Sequence, residues 1–292
     1  MKRLTLLALL IGAGTFAYGN IRVVTTLSDL ADLAHVVGGD RVRVDYFVRG
    51  DQNPHFVEVK PSYMMKLKSA DIFLIIGMEL EIWAPQIIDG SRNASLNVVD
   101  LSGNIDKLEI PAIVDRSEGD VHRFGNPHYW LDPHNIRPML ETIISAFAKA
   151  SPDDEPFFRA NAEAYLKHLD EKIAGWEAAM KPFAGTKIIT FHKSWTYFAR
   201  WLNITVADQV EPKPGIPPSP SHTASLIQLV REEKIKAIVV EPFYDISAAE
   251  QIAGKAGARV IRLSTSVGGV DAATDYISLM DYNITTLAAA LK

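Results

Sequence analysis

The longest regular pattern in the chain runs over residues 155–181, EPFFRANAEAYLKHLDEKIAGWEAAMK. Apolar residues recur at Phe158, Ala162, Tyr165, Leu169, Ile173, Trp176 and Met180, with Arg159, Glu163, Lys167 and Glu177 among the charged residues between them. Steps of three and four residues place the apolar set on one stripe of an α-helix. Ser151, Asp153 and Asp154 offer caps at its start, and Pro182 ends it. At 1.5 Å per residue the helix would span roughly 40 Å, enough to lie along a whole small domain. It divides the chain into two halves, so the expected role is a spine between two lobes. A coiled-coil dimerisation arm is the competing reading.

Each half alternates short apolar runs with segments of helical period. Before the spine, strands are expected at 21–25, 42–48, 70–77 and 96–99, and helices at 27–37, 61–68, 80–88 and 133–150. After it, strands are expected at 187–191, 204–210, 236–240 and 259–263, with helices at 195–202, 221–233, 247–256 and 274–291. Runs such as ADIFLIIG, apolar throughout, suit strands buried on both faces. Strands separated by helices imply right-handed crossovers and parallel pairing. The expected fold class is therefore α/β, with two lobes that each hold a parallel sheet flanked by helices, joined by one long rigid helix. The lobes are placed at 20–151 and 183–292 and the linking helix at 152–182. Residues 101–127 and 211–221 are rich in Gly, Pro, Ser and Asp, and read as loops.

Composition narrows the compartment. In a chain of 292 residues with net charge −5, no basic field exists to hold nucleic acid. Residues 1–19 carry Lys2 and Arg3, an apolar run, and Ala17-Tyr18-Gly19, the layout of a secretory signal peptide cleaved near Gly19. The run is too short to span a membrane. Without any cysteine, disulfides and a cysteine-linked lipid anchor are both excluded. A free periplasmic protein, monomeric, is the expectation.

Three of the eight histidines stand at or beside the ends of expected strands, in surroundings dense in Pro, Asn and aromatic residues. They are His55 in DQNPHFVEVKPS, His128 in GNPHYWLDP and His192 in IITFHKSW. Ligands bind at the carboxyl ends of strands in open α/β sheets. His35, His134, His168 and His222 sit on helices and His122 lies in the 101–127 loop, so these read as ordinary surface residues.

With these motifs the chain resembles the cluster A-I substrate-binding proteins of bacterial ATP-binding-cassette importers for zinc and manganese. The resemblance rests on Pro54-His55 with Glu58 and Pro61-Ser62, on His128-Tyr129-Trp130-Leu131-Asp132-Pro133, and on Phe191-His192 before Trp195-Thr196-Tyr197-Phe198. Ser219-Pro220-Ser221-His222 and Val240-Glu241-Pro242 complete it. It implies a metal held between the lobes by His55, His128 and His192, and delivery to the membrane permease of an importer, with a periplasmic metallochaperone as a further partner. Such relatives usually add an Asp ligand from the loop after the last strand, where this chain has Ser264. Glu241 is the expected fourth ligand, with an acceptor that orients a ligand His as its competing reading; water, Asp245 and Asp271 are the alternatives for the fourth position.

Imidazole suits Zn²⁺ and oxygen suits Mn²⁺, so zinc is the expected ion, with manganese as the alternative. Three histidines and a water would also build a hydrolase, but no HExxH or G-x-S-x-G is present and Glu58 is the sole candidate base. A metal-dependent adhesin is the third reading. The chain is expected not to be an enzyme.

Overall fold

The computed structural model describes residues 20–113, 122–213 and 216–292; the signal-peptide expectation and the centre of the 101–127 loop lie outside the described residues. Two four-stranded sheets account for the eight expected strands. In the first, β1 (Ile21–Leu27), β2 (Val42–Val48), β3 (Ile72–Ile75) and β4 (Asn97–Asp100) take the order β2-β1-β3-β4. In the second, β5 (Lys187–Thr190), β6 (Thr205–Gln209), β7 (Ala237–Val240) and β8 (Arg259–Arg262) repeat that order as β6-β5-β7-β8. Every pairing is parallel. The strand order reverses direction beside the first strand of each sheet, which opens a crevice at the carboxyl ends.

The crossovers of the first lobe are α1 (Ser28–Gly38), α2 (Pro61–Lys68) and α3 (Ala84–Ser91), followed by α4 (Ile136–Ala150). The spine is α5 (Glu155–Met180). The second lobe adds α6 (Thr196–Trp201), α7 (Pro220–Glu232), α8 (Ser247–Ala256) and the closing α9 (Tyr276–Leu291). The helix expected at 80–88 starts later, because Gly77, Met78 and Glu79 all take positive φ and turn the chain first. The helix expected at 221–233 starts at Pro220, capped by Ser219, whose hydroxyl accepts from the His222 amide.

The buried stripe of α5 is Phe158, Ala162, Leu166, Leu169, Ile173, Trp176 and Met180. Leu166 takes the place expected for Tyr165, which is half-buried. This stripe packs against α1 and α4 of the first lobe and α9 of the second. One continuous apolar core results, running from Ile21 to Leu291 through both lobes, while a smaller cluster fills the space between the second sheet and α7 and α8. The spine is thus a shared wall, not an arm.

Polar groups stitch the seam. The loop after β8 lies against the start of α1, where Ser28 Oγ donates to the Val267 carbonyl at 2.7 Å and the Val267 amide donates to Asp29 Oδ1 at 3.0 Å. Trp130 Nε1 donates to the Thr265 carbonyl at 2.7 Å, and Tyr276 Oη donates to the Trp130 carbonyl at 2.6 Å. Gly50 allows the closest approach: a Cβ there would lie 2.2 Å from the Val267 carbonyl oxygen and 2.3 Å from the Gly269 nitrogen. No side chain fits at that point.

Asp29 is fully buried at this seam, and burial raises its carboxyl from 3.8 to about 7 against the opposing hydrogen bonds of Val267 and Ser266. Between those values the folded chain holds a proton that the unfolded chain has released. Stability then falls as pH rises from ~4 to ~7, since the slope follows the protons bound unfolded minus folded. Asp29→Asn removes this contribution. Thermal unfolding should show the wild type losing on the order of 2–4 kcal/mol relative to the variant across that window. Parallel pH profiles for the two chains would contradict the assignment.

Candidate metal centre

The two Asn-Pro-His triplets have a common local cause. Asn53 Oδ1 accepts from the His55 amide at 3.0 Å, and Asn126 Oδ1 accepts from the His128 amide at 3.0 Å. An Asx side chain bonded to the backbone two residues on is a turn that needs no regular element around it. Each asparagine then uses its amide nitrogen across the seam. Asn53 Nδ2 donates to Tyr244 Oη at 3.2 Å, while Asn126 Nδ2 donates to the Lys193 carbonyl at 2.8 Å and Thr196 Oγ1 at 3.1 Å. The same two side chains that aim the histidines therefore hold the second lobe against them.

His192 arrives from that lobe. It follows β5 in extended backbone and precedes the turn Lys193–Trp195. Thr190 Oγ1 donates to its carbonyl at 2.8 Å. His55, His128 and His192 are 5%, 3% and 4% exposed. Their ring centroids stand 5.1 Å (His55–His128), 5.2 Å (His55–His192) and 5.9 Å (His128–His192) apart. One nitrogen from each lies within 4.8 Å of the others, the only such group of His, Asp or Glu among the described residues.

The nitrogens match an ion in spacing and in charge. His55 Nε2 and His128 Nε2 are 3.1 Å apart; two nitrogens bound ~2.0–2.1 Å from one tetrahedral ion would be separated by ~3.3 Å. Asn126 Oδ1 is also 3.0 Å from His128 Nδ1. An oxygen acceptor there holds the ring proton on Nδ1 and leaves the Nε2 lone pair free for a metal. Burial, and then the neighbouring His55 and His192, push the His128 imidazole well below its usual range, so it stays neutral. Trp130, fully buried, packs 5.4 Å from its ring.

Glu241, expected as the fourth ligand, is not brought into this set. It is fully buried at the end of β7, and its Oε1 accepts from Trp195 Nε1 at 3.0 Å. Burial raises its carboxyl to about 7, against the pull of His192. Asp245 and Asp271 are both exposed. Ser264 is occupied within its own loop, its hydroxyl donating to the Ser266 carbonyl at 2.8 Å and its amide to Asn283 Oδ1 at 2.9 Å.

Two further residues stand at the site: His122, whose alternative reading is to pass metal inward, and Glu211, which had no signal in the sequence. His122, read as a surface residue, is half-buried with its ring 5.2 Å from that of His55. Glu211, read as part of a proline-rich loop, is buried with Oε2 3.7 Å from His192 Nδ1. Both line a cavity of about 390 Å³ that reaches His128 and His192. His35 and His168 are exposed, and His134 and His222 bond to Asp132 and the Gln209 carbonyl.

The profile of the family described as zinc-uptake complex component A, periplasmic (ZnuA), matches residues 23–290. The chain belongs to this family. The manganese-binding lipoprotein MntA of Halalkalibacterium halodurans is 26% identical over 278 residues, which cover 93% of this chain and 89% of the relative. The zinc-binding lipoprotein AdcA of Streptococcus pneumoniae is 24% identical over 282 residues; the match covers 93% of this chain and 56% of that protein, so the chain spans about half of AdcA. A crystal structure of ZnuA shares the fold with a TM-score of 0.82 at 25% identity, covering 94% of this chain and 100% of that one. A zinc-bound deletion mutant of ZnuA follows with a TM-score of 0.81 at 26% identity.

Asn126 both aims His128 and ties it to the second lobe, so Asn126→Ala should weaken zinc binding by roughly 10–100-fold, the usual loss when a ligand's support is removed. Ser264→Ala should change it by less than about 2-fold, because that hydroxyl already has its partner. Competition titration against a chromogenic chelator measures both, and the opposite ranking would refute this division of labour.

Proposed function

We propose that this protein captures a divalent transition metal ion outside the cytoplasmic membrane, zinc in the first place, and delivers it to an ATP-driven membrane importer. The observation that carries the reading is the buried set His55, His128 and His192, drawn from both lobes and spaced for one ion. Membership of a family of periplasmic zinc-uptake components supports the transport role and sets the hydrolase and adhesin readings aside. The cavity beside the histidines serves as an entrance for the ion. The metal is cargo, and the three imidazoles are its proposed ligands.

Glu241 sits close enough to His192 to act on it electrostatically, and its second oxygen, Oε2, has no hydrogen-bond partner. In this reading it offsets the charge of the ion from behind the ligands and holds Trp195. Manganese remains the second reading because MntA is a manganese-binding relative, but nitrogen donors favour zinc over manganese.

The partner is an importer's permease, the ion reaches the protein directly or from a metallochaperone, and the chain works as a monomer. The lobes are taken as 20–151 and 183–292 about the linking helix 152–182. In this reading residues 1–19 serve as an export signal cleaved near Gly19. Among the described residues no helix is long and apolar enough to cross a membrane. The N-terminal mass of protein recovered from the cell envelope tests the cleavage site.

Zinc titration tests the function. His55→Ala, His128→Ala and His192→Ala should each weaken binding by at least about 100-fold, since each removes one of three ligands. Full-strength zinc binding by His192→Ala would overturn the reading. Each imidazole must be deprotonated to ligate, so wild-type affinity should fall on acidification. An affinity constant from pH ~7.5 to ~5.5 would point to a carboxylate site instead.

A further inference from the structure

The second sheet contains one irregularity, and it lies under the site. Lys187 pairs with Thr205 and Ile188 with Val206, but Ile189 pairs with Asp208 and Thr190 with Gln209, so Ala207 is an extra residue in β6. In a strand a one-residue slip exchanges the two faces. Beyond the strands the chains stay in step: the Val210 amide donates to the Thr190 carbonyl at 2.8 Å and the Glu211 amide to the Phe191 carbonyl at 2.9 Å. Counting on from Thr190 opposite Gln209, His192 stands beside Glu211. Without the extra residue its neighbour would be Val210.

The two side chains meet out of reach of solvent. His192 and Glu211 are 4% and 7% exposed. His192 Nδ1 and Glu211 Oε2 are 3.7 Å apart, and neither atom has a hydrogen-bond partner. Glu241 does not compete for this role, because its Oε1 is held by Trp195 and it makes no ion pair with His192 within 4.0 Å among the described residues. A movement of under ~1 Å would bring the two atoms to hydrogen-bond length and satisfy both.

We infer that Glu211 is the positioning residue of His192, accepting the Nδ1–H so that Nε2 is turned to the ion. This rests on the three-histidine reading above and adds a residue to it. His128 has a neutral amide, Asn126, in the equivalent place; His192 has a carboxylate. A metal-ligating imidazole that donates to a carboxylate becomes a stronger donor and is fixed in one tautomer. The negative charge also compensates an ion otherwise surrounded by neutral nitrogens. One bulge in β6 therefore connects backbone register to the strength of a proposed ligand on the neighbouring strand.

Zinc titration of Glu211→Ala and Glu211→Gln, with ¹⁵N NMR of the histidine side chains in the zinc-loaded proteins, tests the inference. Glu211→Ala should lose roughly 10–100-fold in affinity. Glu211→Gln keeps an acceptor oxygen and should recover part of that loss. In the loaded wild type His192 should carry its proton on Nδ1, shifted downfield by the carboxylate, and the shift should shrink in Glu211→Gln. Glu211→Gln is near-isosteric, so it and the wild-type spectrum decide the matter if Glu211→Ala fails to fold. Wild-type affinity in both variants, or His192 bound to zinc through Nδ1, overturns the inference and leaves the three-histidine reading standing. X-ray absorption showing one fewer oxygen neighbour around zinc in Glu211→Gln would also overturn it, because Glu211 would then be a ligand. A wild-type protein that binds no zinc sinks both readings.

Discussion

Three imidazoles from two lobes can share one ion only if the lobes are fixed to within a fraction of an ångström. Everything at the seam serves that constraint. Three buried imidazoles facing one another make a poor apolar core. The shared apolar wall of α5 sets the coarse position of the sheets. The backbone contact at Gly50 and the bonds from Asn53 and Asn126 set the fine one. The local turn and the cross-seam contact are made by opposite ends of the same asparagine amide. Aim and spacing therefore cannot drift independently.

Much of this was legible in the residues. Period and apolar runs located all eight strands and the spine, because both patterns report burial directly. The repeated Asn-Pro-His was legible as a site because asparagine and proline there have no use in a regular element. Other features were not. Tyr165 and Leu166 are adjacent and both apolar enough for the stripe, and only the packing of α1, α4 and α9 chooses Leu166. The Gly77 to Glu79 turn delays α3 through positive φ that Met and Glu do not advertise. Glu211 was hidden because a bulge is a relation between two strands, and one strand's sequence does not contain it. Glu241 was legible as a buried carboxylate at a strand end, but the sequence did not show that Trp195 would bond one of its oxygens.

Ser264 is held within its own loop, where an Asp ligand was expected from the resemblance. Its hydroxyl and amide are spent on Ser266 and Asn283, and Asn283 Nδ2 returns a bond to its carbonyl at 2.8 Å. The loop is thereby stiffened at the point where it meets Ser28 and Asp29. Relatives at about a quarter identity include proteins described as zinc-binding and manganese-binding.

The larger apolar core, which runs through both lobes, has a consequence for how the molecule comes apart. Neither sheet can unfold alone without stripping the cover from α5 and, through it, from the other lobe. Denaturation should therefore occur as one cooperative event rather than lobe by lobe, although the chain is long enough for two independent units. A bound ion that bridges the lobes would raise the stability of that whole unit by mass action, so occupancy by metal would be readable as resistance to unfolding of the entire chain.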